Sequence, residues 1–139
     1  MKYKRPKHLT YAQTIQFHGH DGPFLALGYK LGQYLVDRLN PKGIMDLTIT
    51  VRTRLEKPYT CLIDGLQSST FATIGKGNLR IMDRPTKIIS VTAARNTKKL
   101  KILISNQAMK ICQTGGDLKK AARLIFNTPD RILFTVKKS

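Results

Sequence analysis

At 139 residues with 41% apolar side chains, the chain has material for one compact soluble domain, not two, and can bury roughly two-thirds of its unfolded surface without disulfides or a structural metal. Cys61 and Cys112 are its only cysteines and no CxxC pair exists, which excludes ribbon-type zinc modules and disulfide frameworks and favours a reducing, cytoplasmic setting. With 25 Lys+Arg against 8 Asp+Glu the formal charge is +17, suited to polyanions or anionic ligands, and no apolar run is long enough to imply a membrane span.

Met1 to Leu9 carries Lys2, Lys4, Arg5, Lys7 and His8 around Pro6 and reads as a basic N-terminal arm, leaving 10–139 as the core domain. Thr10 and Gln13 have capping-box spacing, predicting a short helix with Ala12, Ile15 and Phe17 available to the core. His18-Gly19-His20-Asp21-Gly22 ends it. Pro23 then opens the strongest helix, with Phe24, Leu27, Leu31, Leu35 and Leu39 at core spacing and a stop at Asn40-Pro41-Lys42-Gly43. Both histidines therefore fall in a loop at a helix N-terminus, where unpaired N–H groups favour an anion. Gly28 and Gly32 leave one flank of that helix bare, open to another element or a second chain.

Met45, Leu47, Ile49 and Val51 alternate with Asp46, Thr48, Thr50 and Arg52, predicting a half-buried strand. A second strand is expected over Tyr59 to Ile63, a short helix over Gly65 to Thr73, and a turn at Gly75-Lys76-Gly77-Asn78. Three antiparallel strands follow, Leu79 to Met82, Lys87 to Ala94 and Lys99 to Ser105, with turns at Arg84-Pro85 and Arg95-Asn96. Asp117 caps a helix over Leu118 to Phe126, and Arg131 to Lys137 is a last strand. The expected fold class is α+β: a mostly antiparallel sheet packed with one long N-terminal helix and shorter ones.

Phe17-His18-Gly19-His20, then Gly22-Pro23 and Leu25-Ala26-Leu27-Gly28, resemble the opening signature of the formylmethanofuran dehydrogenase E-subunit family. Cys61, Asp64, Gln67, the run Gly75-Lys76-Gly77-Asn78-Leu79 and the closing Pro129-Asp130 with Leu133-Phe134-Thr135-Val136 extend the resemblance over nearly the whole chain. It implies an α+β core domain, often a homodimer, whose pocket in many members carries a metal held by His and Cys. The family takes its name from a molybdenum or tungsten enzyme of methanogenesis, which does not make each member a component of that enzyme. Two family cysteines are replaced, by Gly22 and by Ala72, so the implied site is a degenerate or altered one built on His18, His20 and Cys61, with Asp21 and Asp64 as candidate catalytic carboxylates. Zinc is the transition metal that best suits such a mixed N/S/O set.

Each residue also has a plainer reading. A His-x-His pair is often a polar turn or a helix cap, Cys61 among Leu62 and Ile63 a small hydrophobe, and Asp64 an N-cap carboxylate. As a nucleophile Cys61 needs a histidine to lower its pKa. Ser68, Ser69 and Thr70 lack nucleophile-elbow spacing. Gly75, Lys76, Gly77 and Asn78 could bind a small anionic ligand, with a simple turn as the alternative; the P-loop frame is absent.

Residues 1–70 hold 10 basic and 5 acidic side chains, residues 71–139 hold 15 and 3. Within that second half Arg80, Arg95, Lys98, Lys99 and Lys101 form a candidate polyanion surface, with Lys99 and Lys101 on one side of a strand. Neither Phe nor Tyr occurs between Phe71 and Phe126, so nucleic-acid binding there would be electrostatic and non-specific. The rival to the metal pocket is thus a non-catalytic basic protein that works through its surface.

Overall fold

The computed structural model describes residues 7–137. The order is α1 (Tyr11–His18), α2 (Pro23–Leu39), β1 (Thr48–Thr53), α3 (Cys61–Thr70), β2 (Leu79–Asp83), β3 (Ser90–Arg95), β4 (Lys98–Ile104), α4 (Asn106–Gln113), α5 (Leu118–Asn127), α6 (Asp130–Leu133) and β5 (Phe134–Lys137). One five-stranded sheet runs β2-β1-β3-β4-β5, antiparallel at every pairing except β1 with β2. The fold is the expected single-domain α+β class. Among the described residues no helix is long and apolar enough to cross a membrane.

The expected arm lies mostly outside the described residues. Its last two positions are tied down: Leu9 N–H donates to the Ser68 carbonyl at 3.1 Å, the Leu9 carbonyl accepts from Tyr29 Oη at 2.7 Å, and the His8 ring meets Tyr29 edge-on. The capping box of α1 forms, with Thr10 and Gln13 bonding each other's backbone. Its core contribution differs from expectation. Thr14 is the fully buried residue, while Ala12 and Phe17 face out, because α1 lies across α3 and Thr14 Oγ1 donates to the Thr10 carbonyl and pairs with Ser68 Oγ at 2.8 Å.

Helix α2 is the spine of the core, and Phe24, Leu27, Leu31, Leu35 and Leu39 are all buried as their spacing requires. They pack on the sheet face made by Ile49, Val51, Val91, Ala93 and Ile102. Met45 is exposed, since β1 begins only at Thr48.

The expected strand over Tyr59 to Ile63 is instead the approach to and first turn of α3. A short apolar run is locally ambiguous; here Leu62 and Leu66, four apart, line one helical face and Gly65 brings that face against α2. A β-carbon on Gly28 would lie 2.0 Å from the Leu62 carbonyl oxygen, one on Gly65 2.3 Å from the Leu25 carbonyl oxygen, and one on Gly32 1.8 Å from Ser69 Oγ. The bare flank of α2 is thus filled by α3 of the same chain, not left for a second one.

With α3 as crossover, β1 and β2 run parallel, and β1 lies between β2 and β3, which the sequence pattern places in succession. β3 starts at Ser90, three residues later than expected, because Arg84–Ile89 form a loop leading from β2. No expectation covered α4, although Ser105 caps it through Ala108 N–H and Ala108, Met109 and Cys112 are buried at helical spacing. The last expected strand holds over Phe134–Lys137 as β5, while its first three residues belong to a helical turn, α6.

Candidate metal centre

His18 is the last residue of α1, and Gly19 follows it with φ of +108°, a left-handed conformation that side chains disfavour and that turns the chain sharply. The reversal lays the His20 ring against that of His18, centroids 4.6 Å apart. Cys61 opens α3 and Asp64 follows three residues later on the same helical face. The close α2–α3 packing brings this helix end to the histidine loop. One ligand atom from each of His18, His20 and Cys61 lies within 4.8 Å of the others.

The hydrogen bonds define the proton positions on both rings. His18 Nδ1 is 2.5 Å from Asp64 Oδ2, and His20 Nδ1 is 2.9 Å from the Asp21 carbonyl oxygen. An ionised carboxylate and a carbonyl only accept, so both Nδ1 atoms donate and, in the neutral rings, both Nε2 atoms carry lone pairs. Those two Nε2 atoms face each other at 3.2 Å. Two lone pairs in that position repel unless a cation lies beside them. Ligands about 2.0–2.1 Å from a tetrahedral zinc stand about 3.3 Å apart, so the observed spacing and the N, N, S donor set fit such an ion.

Burial and the Asp64 charge push the Cys61 thiol up, partly opposed by Lys57. Cys61 is therefore no activated nucleophile; it is a protonated thiol that a metal would have to deprotonate. A mainly apolar cavity of about 70 Å³ adjoins it, lined by His20, Phe24, Pro58, Cys61, Cys112 and Leu118.

Asp64 is placed as a partner of His18 rather than as an N-cap. Gln67 braces it, donating from Nε2 to Asp64 Oδ1 at 3.4 Å while its Oε1 accepts from Ile74 N–H at 2.9 Å. The Asp21 carboxylate is not among the clustered ligand atoms and accepts from Tyr11 Oη at 2.5 Å. Burial, then this bond and the Asp21 charge, hold the Tyr11 hydroxyl far above its ordinary pKa. Tyr11 and Gln67 had no assigned role in the site. Gln67 stands one helical turn after Asp64, a signal readable once α3 is known to include both; for Tyr11 the sequence carries none.

The glycine-lysine-glycine run forms a turn at the far end of α3. Lys76 Nζ donates to the Phe71 carbonyl and, at 3.0 Å, to Thr73 Oγ1, and burial holds its pKa down. Asn78 is buried and ties three backbone groups: its Oδ1 accepts from Thr73 N–H, and its amide donates to the Ile44 and Leu47 carbonyls. Gly77 has φ of +80° and Gly75 is exposed. The side chains of Lys76 and Asn78 are thus engaged with the chain itself.

Residues 17–135 match the family described as FmdE, molybdenum formylmethanofuran dehydrogenase operon. The chain belongs to the FmdE family. A curated relative, a "Probable S-adenosyl-L-methionine-binding protein" of Archaeoglobus fulgidus, is 24% identical over 98 residues, which is 68% of this chain and 26% of that protein. The chain thus spans about a quarter of that relative's length.

Gly22 and Ala72, where the resemblance implies cysteines, occupy different places. A β-carbon on Gly22 would sit 3.6 Å from His20 Cε1, beside the cluster. Ala72 is buried beyond the other end of α3, whose ten residues span about 14 Å from Cys61. Of the two positions, Gly22 is the one beside the histidines.

Proposed function

We propose that this FmdE-family protein holds one divalent transition metal, zinc by donor chemistry, on His18 Nε2, His20 Nε2 and Cys61 Sγ. The observation that carries the reading is the pair of opposed Nε2 atoms with both Nδ1 protons held elsewhere. Hydrogen-bonded Nδ1 atoms are the usual second layer behind ligating imidazoles, and the Asp64–His18 contact has that form.

Three protein ligands leave one position for water or a small ligand, the arrangement of reactive rather than purely structural zinc sites, where the ion supplies Lewis acidity. His20 is exposed, so the open side faces solvent. The +17 chain favours an anionic occupant there.

The test is zinc titration of the full chain after chelator treatment, followed by elemental analysis. One ion per chain is expected, falling below a tenth in His18→Ala and in Cys61→Ser. Unchanged stoichiometry in both variants would overturn the reading.

A further inference from the structure

We propose that the outward face of the sheet binds duplex DNA through its two phosphate backbones. Strand alternation puts Ile49, Val51, Val91, Ala93 and Ile102 against the helices, so their neighbours face the other way. Register then aligns Arg80, Thr50, Thr92, Lys101 and Lys137 in one row across all five strands. Arg52 and Lys99 share this face, two residues from the row on either side. The only acidic residue in the five strands, Asp83, has the opposite parity to Arg80.

The row is charged at its edges and neutral at its centre. Arg80 and Lys101 are three strand spacings apart, roughly 14 Å, and Lys137 adds one more. That separation compares with the about 12 Å width of a B-DNA major groove, so Arg80 with Arg52 would meet one backbone and Lys99, Lys101 and Lys137 the other. Thr48, Thr50 and Thr92 between them offer hydroxyls to phosphate and sugar oxygens. The face has no aromatic residue, which disfavours a single strand, since stacking dominates such binding and one backbone would occupy one edge only. Its large apolar side chains are Met82 and Leu103, without an aromatic anchor, too few for a membrane-surface element.

Two of the cations singled out in the sequence do not belong to this surface. Arg95 turns to the helical side, where its Nη1 donates to the Leu39 and Asn40 carbonyls at the end of α2. Lys98, its partner across the β3–β4 hairpin, has the same parity. Arg52 and Lys137 take their places.

The experiment is fluorescence anisotropy of a labelled, mixed-sequence 20-base-pair DNA with the full chain. Contact with four to five phosphates predicts a slope of about −4 in log affinity against log salt, roughly a 150- to 500-fold loss between about 50 and 200 mM. Arg80→Thr combined with Lys101→Thr, substitutions that suit strands, should weaken binding about tenfold or more and reduce the slope by about 2. Removing three charges from α5, as Lys119→Ala, Lys120→Ala and Arg123→Ala together, should do less. Circular dichroism checks that each variant folds. An equal or larger loss in the α5 variant, tighter binding to the single strand than to the duplex, retention on phosphatidylserine vesicles without retention on DNA, or no binding at 50 mM salt would each overturn the proposal.

Discussion

His18 and His20 present their Nε2 atoms to one another across 3.2 Å while oxygen atoms from two different residues hold their Nδ1 protons outward. Asp64 sets one side of this arrangement. Asp64→Ala should lower zinc affinity about 10- to 100-fold, because His18 then loses the partner that orients its ring. Competition against a chromophoric chelator measures this, and the thermal midpoint without metal should move little, the carboxylate being partly exposed.

Metal binding should release a proton near neutral pH. The Cys61 thiol is held above its ordinary pKa, so it is protonated below that pKa and must be ionised to ligate. Zinc affinity should therefore rise about tenfold per pH unit through the neutral range from the thiol alone, and fall on acidification. Calorimetry in buffers of different ionisation enthalpy counts the protons. In Cys61→Ser, which should hold little zinc, the heat of binding and the proton release should be lost together.

The two cysteines should differ in reactivity. Burial pushes Cys112 up to about 12, and it lies on the buried face of α4, whereas Cys61 is half-buried beside the small cavity. A maleimide reagent at neutral pH should label Cys61 first and Cys112 only after denaturation. Zinc should slow the first reaction. Labelling unaffected by zinc would remove Cys61 from the ligand set.

Gly28→Ala should cost about 2–3 kcal/mol or more, read as a fall in denaturation midpoint, since the new methyl meets the α3 backbone and not a movable side chain. Gly75→Ala meets nothing within 4 Å and should stay within about 0.5 kcal/mol of the original. Gly28→Ala should also weaken zinc binding, because the α2–α3 approach carries Cys61 to the histidines.

Patterns that repeat within one element were legible in the chain alone. The apolar ladder of α2 from Phe24 to Leu39, the alternation through Leu47, Ile49 and Val51, the caps at Thr10 and Asp117 and the sharing of one face by Lys99 and Lys101 are all local regularities, and each has its expected place. The family motifs likewise marked His18, His20 and Cys61, which do converge.

Tertiary contact decided what local pattern leaves degenerate. Leu62-Ile63 suits a strand or a helix equally, and the α2 surface at Gly28, accepting only a glycine-bearing helix at such close range, makes it α3; parallel pairing of β1 with β2 follows from that crossover. Asp64 became a histidine partner, Arg95 a cap for α2 and Lys76 a brace for its own loop because each found an acceptor or donor far along the chain or across a turn. A polar side chain's role depends on which unpaired group it meets when water is excluded, and composition and spacing carry no record of those meetings.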